Sequence, residues 1–201
     1  MHEERIACHD GFKVLKLPYK TVDVSSPGFH WKQLASLPKF SMCVFLPDAR
    51  DGLPSLVARM TSRPEFLHEH LPTAVVPVGD FRLPRFKLSF QSSIVDVLKS
   101  LGLRLPFVPF TKGLTEKMEG VPLFVGKVIH KAVIEVNESG SEAAAYTESD
   151  DEMGYSLFDD EPPPLKPVDF VADHPFAFFI IEETTGTIVF SGQVLDPSKE
   201  E

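Results

Sequence analysis

With 201 residues and 43% hydrophobic side chains the chain supports a domain-sized core, and its formal net charge of -9 argues against a nucleic-acid partner, which Lys and Arg would hold by its phosphates. Met1-His-Glu-Glu-Arg5 opens with charge, no apolar run follows, and no stretch reaches the roughly 20 apolar residues of a membrane span. No membrane partner is therefore expected, and the location is expected to be cytoplasmic or nucleocytoplasmic, extracellular only for a longer product.

Arg5 to His9 and Phe12 to Leu17 read as strands, the second ended by Pro18. Cys8 and Cys43 are too few for a disulfide framework and are expected as reduced, mostly buried thiols. Residues 21–38 keep no sustained period, with Phe29 and Trp31 expected to pack at the surface. Phe40 to Leu46 is a strand, and Pro47 to Gly52 make a turn. Leu53 to Leu71 is helical, with Leu56, Val57 and Met60 at helical spacing and Pro64 starting a second short helix. Ala74 to Val78 and Phe81 to Phe90 read as strands, the latter with Arg82, Arg85 and Lys87 on a solvated face. Ile94 to Leu101 is an amphipathic helix closed by Gly102, and Pro106 to Gly120 is irregular. At the end, Ala177 to Glu182 and Thr187 to Val194 form a hairpin through Glu183 to Gly186.

The stretch from Val128 to Phe176 is different in kind. Ala132, Ile134 and Val136 share a face with His130 while Lys131, Glu135 and Asn137 point the other way, which is the period-two signature of a strand with one buried face. After Gly140 the alternation resumes. Ser141, Ala143, Ala145, Thr147 and Ser149 fall on one face, and Glu142, Ala144, Tyr146, Glu148 and Asp150 on the other. A loop that only had to stay solvated has no need of small residues at every second position, so this one is able to become a strand. Between Lys131 and Lys166 every charge is acidic, so this one passage accounts for the net charge. Ser149, followed by Asp150, Asp151 and Glu152, suits an acid-directed kinase, whose phosphate would oppose burial of the passage.

No enzymatic constellation is visible. The chain has no Gly-x-Ser-x-Gly elbow, no His-Glu-x-x-His helix and no Gly-x-x-x-x-Gly-Lys phosphate loop. His68 and His70 are two apart, on different faces of a helix, and make no metal pair. His130 is expected as a buried, hydrogen-bonded imidazole and His174 as a packing residue at a strand end. Neither a cofactor nor a metal is expected, and the chain is not expected to be an enzyme.

The hinge Glu138, Ser139, Gly140, Ser141, Glu142, Ala143, Ala144 and Ala145 resembles that of the serpin family, in its plant branch. The same holds for Gly11 to Tyr19, Phe40 to Asp48, Leu83 to Leu88, Phe170 to Phe176 and Phe190 to Pro197, which follow the order of about the C-terminal half of a serpin. The resemblance implies one partial serpin domain over 1–201, α+β and mainly antiparallel, whose central sheet is incomplete because the N-terminal half is missing. It implies a reactive-centre loop at about 140–168 and an insertion at 21–38. It also implies a serine-type endopeptidase inhibitor, a suicide substrate whose hinge inserts as a new strand once a serine protease, or a cysteine protease, cuts the bait. The family's spacing places the bait at Met153, Gly154 and Tyr155, with Leu157 and Phe158 as further positions for a chymotrypsin-like cut. Lacking the strand that would border its slot, this chain is expected to inhibit weakly or not at all and to be open to strand-exchange self-association. The alternative is a non-inhibitory interaction or binding protein, or a degenerate gene product.

Overall fold

The structure, a computed structural model, describes residues 2–19, 37–108, 124–136 and 166–199. The hinge from Glu138 to Ala145, Ser149, the bait from Met153 to Tyr155 and all but the last two residues of the expected insertion lie outside the described residues. The chain divides into two compact units, one made of Met1–Phe86 and Val136–Glu200, the other of Lys87–Glu135.

The larger unit is built on one seven-stranded sheet. Its strands are β1 (Glu3–His9), β2 (Phe12–Pro18), β3 (Phe40–Pro47), β4 (Val76–Arg82), β7 (Val168–Val171), β8 (Phe176–Glu182) and β9 (Ile188–Val194), in the spatial order β7-β4-β1-β2-β3-β8-β9. All neighbours are antiparallel except β4 and β7, which run parallel, so the sheet is mixed and mainly antiparallel. β1 and β2 are joined through Asp10 and Gly11, His9 facing Phe12. Gly11 has φ 82°, the left-handed conformation that a tight Asp-Gly hairpin turn requires.

The middle of this sheet is covered on both faces. On one, Phe12, Val14, Phe45 and Ile181 meet Leu53, Leu56 and Met60 of helix α1 (Leu53–Ser62) and Phe66 and Leu67 of the short helix α2 (Phe66–Glu69). Leu53, Leu56 and Met60 lie at helical spacing and Pro54 occupies the first turn, where its missing N–H costs nothing. On the other face Phe86 packs against Phe176 and Phe178, ring centroids 5.9 and 5.3 Å away.

The smaller unit carries a two-stranded sheet of β5 (Phe86–Ser93) and β6 (Ile129–Val136). Lys87 Nζ meets Glu135 Oε2 at 3.0 Å, and the Ile94 N–H donates to the Val128 carbonyl at 3.0 Å, so the start of one strand lies opposite the end of the other. Helix α3 (Val95–Ser100) follows, then Gly102 and a 3-10 turn, Leu105–Phe107. α3 buries none of its residues, and Leu101 just past its end is 78% exposed.

Three expectations need correction. The break between the fourth and fifth strands falls at residues 83–85, and Phe81 belongs to β4. Gly79 and Asp80 form a bulge inside the strand instead of ending it, and the chain leaves the ladder after Arg82, two residues before Pro84, which has no N–H to give. Cys8 is exposed, on an edgeward stretch of β1, while Cys43 is buried and burial pushes its thiol up to about 12. His130 is exposed, with its ring 6.1 Å from that of Phe90, itself 56% exposed. It shares the face of Ala132 and Ile134, as the alternation requires, but lies toward the start of β6, where that face is uncovered.

Candidate functional site

The chain on either side of residues 137–165 is described, and it enters and leaves that passage in contrasting ways. The entry is β6. One edge is hydrogen-bonded to β5, and among the described residues no strand lies on the other edge. Of its eight residues only Ile134 is buried; Ile129 and Val133 are about half exposed. A strand in this condition presents a row of unpaired N–H and C=O groups to which another strand can add.

The exit is β7, tied down by side chains as well as by its ladder. β7 is four residues long and, among the described residues, borders β4 alone. Phe170 is fully buried, with its ring 6.2 Å from Phe81. Lys13 Nζ donates to the Asp169 carbonyl at 3.0 Å, and the Ala172 N–H donates to the Arg82 carbonyl at 2.8 Å. Just beyond, Asp173 accepts from the Arg50 guanidinium and hydrogen-bonds to His174 Nδ1 at 2.7 Å. These contacts, His174 first and Arg50 after it, hold its carboxyl below the usual carboxylate range. His174 is buried, and its Nε2 lies 2.6 Å from the Pro47 carbonyl oxygen. It closes the corner between β3 and β8, the packing role read from its place before Pro175.

The expected site residues themselves lie outside the described residues, so the arrangement consists of the two strands that bracket them. Among the described residues no group of three or more His, Cys, Asp or Glu is placed to hold a metal. Two features escaped the sequence reading. β7 was not recognised as a strand, although Val168, Phe170 and Ala172 alternate with Asp169, Val171 and Asp173; four residues are too few for a period to stand out. The bulge at Gly79 had a signal, since a glycine inside a strand marks a bulge or a close approach.

Residues 1–197 match the family model described as Serpin (serine protease inhibitor). Putative serpin-Z8 of rice is 52% identical over 98% of this chain and 47% of its own length. Probable non-inhibitory serpin-Z9 of rice is 44% identical over 96% of this chain and 39% of its own length. The native stressed conformation of Arabidopsis AtSerpin1 superposes with a TM-score of 0.70 at 40% identity, covering 98% of this chain and 47% of that one. The chain thus spans about half the length of the curated relatives it matches.

Proposed function

The chain belongs to the serpin family, and on that premise we propose that residues 140–168 are its reactive-centre loop, a bait for a serine protease that this chain yields as a substrate without trapping the enzyme. The observation that carries this proposal is the second edge of β6, which has no strand beside it among the described residues. A hinge that inserts as a strand must pair on both sides, and the described residues supply β6 for one side and no strand for the other. Asp151, on the same alternating face as Ser141 to Ser149, adds to the difficulty, because burying an unpaired carboxylate is costly. The name of one rice relative, probable non-inhibitory serpin-Z9, supports this reading.

The test is incubation with a chymotrypsin-like protease followed by electrophoresis after boiling in detergent. Cleavage at or near Met153 to Tyr155, Leu157 or Phe158 is expected, with no covalent complex and no gain in heat stability. A protease-sized band shift that survives boiling would overturn the proposal in favour of a working suicide inhibitor. A cysteine protease is the second class of partner to be tried.

A second proposal rests on the same open edge. Ile129 and Val133 stand exposed along β6, so strand exchange between copies is expected, seen as a rise in mass with concentration in light scattering. Phosphorylation of Ser149 would add charge to an acidic loop and oppose insertion further; mass spectrometry of native material checks it.

A further inference from the structure

β4 and β7 pair out of step. Val78 faces Val168 and Phe81 faces Phe170, so β4 takes three steps where β7 takes two. Such a bulge leaves one residue of the longer strand without its ladder partner. Gly79 and Asp80 together stand against Asp169 there, and the Asp80 N–H donates to Asp169 Oδ1 at 2.7 Å. A side-chain carboxylate on β7 thus stands where a backbone carbonyl would have stood. The carboxylate fits because residue 79 is glycine: a Cβ there would lie inside contact distance of Asp169 Oδ1, with the Pro167 side chain 3.7 Å away. The Asp80 carboxylate does not compete for the position, being engaged by Arg82 through Nε at 3.0 Å and Nη2 at 2.6 Å. Lys13 Nζ donates to the Asp169 carbonyl at 3.0 Å.

We propose that the Asp169 carboxylate, seated in the space left by Gly79, locks the register of β7 on β4 and so positions the C-terminal root of the reactive-centre loop. This rests on the assignment of residues 140–168 as that loop. β7 is short and lies at a sheet edge, and a one-residue slip of a strand exchanges its two faces. A slip would expel Phe170 from the core and alter the length of chain that spans the loop. Asp169 acts through the strand and does not touch a protease, so it is a positioning residue.

The test compares the wild type with Asp169→Ala, Gly79→Ala, the double variant and Asp169→Asn by hydrogen exchange. Each single alanine variant is expected to speed exchange of the Val168 to Val171 amides by about three- to tenfold, the range of one net hydrogen bond. β3 and β8 amides, the control for folding, should stay unchanged. Because Gly79→Ala acts by displacing the carboxylate, the double variant should be no worse than Asp169→Ala, a non-additivity that plain loss of stability would not produce. Asp169→Asn retains an acceptor oxygen and should restore most of the protection. Chymotrypsin gives a second measure, since cutting after the buried Phe170 requires β7 to leave the sheet and should accelerate in the alanine variants. If β7 exchange and Phe170 cleavage match the wild type in both single variants, or if the two effects simply add, the lock is overturned. If instead no cut falls within 140–168 in any protein, the loop assignment fails while the lock is still decided by exchange at β7.

Discussion

β3 and β6 are both eight residues long and both rich in apolar side chains, yet they end in opposite conditions. β3 lies between β2 and β8, and every residue from Ser41 to Pro47 is buried. Among the described residues β6 has one neighbouring strand, β5, and one of its own residues is buried. The difference does not lie in strand propensity, because the Val and Ile of β6 suit a strand at least as well as the residues of β3. It lies in what each strand has beside it. The larger unit supplies its own flanking strands and a helix to cover them, while in the smaller unit, among the described residues, β6 has a strand on one edge only and five of its eight residues are exposed.

The sharpest break of this comparison is mutational. Phe45 is fully buried against Phe12 and Phe179, with ring centroids at 6.2 and 5.5 Å. Phe45→Ala is expected to lower the unfolding free energy by about 3–5 kcal/mol through lost burial and a cavity. Val133→Ala, on the open stretch of β6, should stay within about 0.5 kcal/mol. Urea denaturation of both variants decides the matter, and equal losses would mean that β6 is covered after all. Hydrogen exchange sharpens the same contrast. Amides of β3 should exchange only on global opening, whereas those on the edge of β6 away from β5, which has no strand beside it among the described residues, should exchange faster on the order of a hundredfold or more.

Thiol chemistry makes a smaller division within the larger unit. With the Cys43 thiol pushed up to about 12 by burial, roughly one molecule in ten thousand carries the thiolate at pH 8, and the group is also shut away from reagent. Cys8 is exposed. Iodoacetamide under native conditions should therefore add one alkyl group, at Cys8; a second adduct without denaturant would show that the β3 core opens readily.

Much of the larger unit was legible in the sequence, because its signals are local. The strands on either side of Asp10-Gly11, the continuous apolar run of β3 and the hairpin through Glu183 to Gly186 each carry a signal that needs no knowledge of a partner. What was not legible depended on pairing. Whether His130 is buried is decided by what covers the start of β6, not by the face to which it points. Gly79 and Asp80 fell between two expected strands, and pairing with the parallel partner β7 makes them a bulge within one; Cys8 was expected among the buried thiols, and its exposure depends on its place in β1. The candidate site divides in the same way: the hinge was read from Glu138 to Ala145 alone, but the consequence of having a hinge depends on the second edge of β6, about which no residue of the hinge carries information.

The smallest expected effect is the pH dependence of the terminal hairpin. Glu182 accepts hydrogen bonds from the Thr185 hydroxyl at 2.6 Å and from the Thr185 and Thr184 N–H groups at 2.7 and 3.1 Å. The Thr185 hydroxyl is the largest cause and the backbone donors add to it, lowering the carboxyl from 4.5 to about 2. The unfolded chain therefore binds a proton at this residue before the folded one does. The hairpin's contribution is complete above the unfolded value and falls as pH drops from 4.5 toward 2. Glu182→Gln removes the titration while keeping an acceptor oxygen in place. Its urea midpoint should lie slightly below the wild type at about pH 6 and converge with it at about pH 2.5, other carboxylates titrating equally in both proteins. The group lies at the surface, where solvent weakens such interactions, so the gap will be small. A gap that stays constant over that range would mean that the turn does not hold the carboxylate, and that this edge of the larger sheet is as loosely specified as β6.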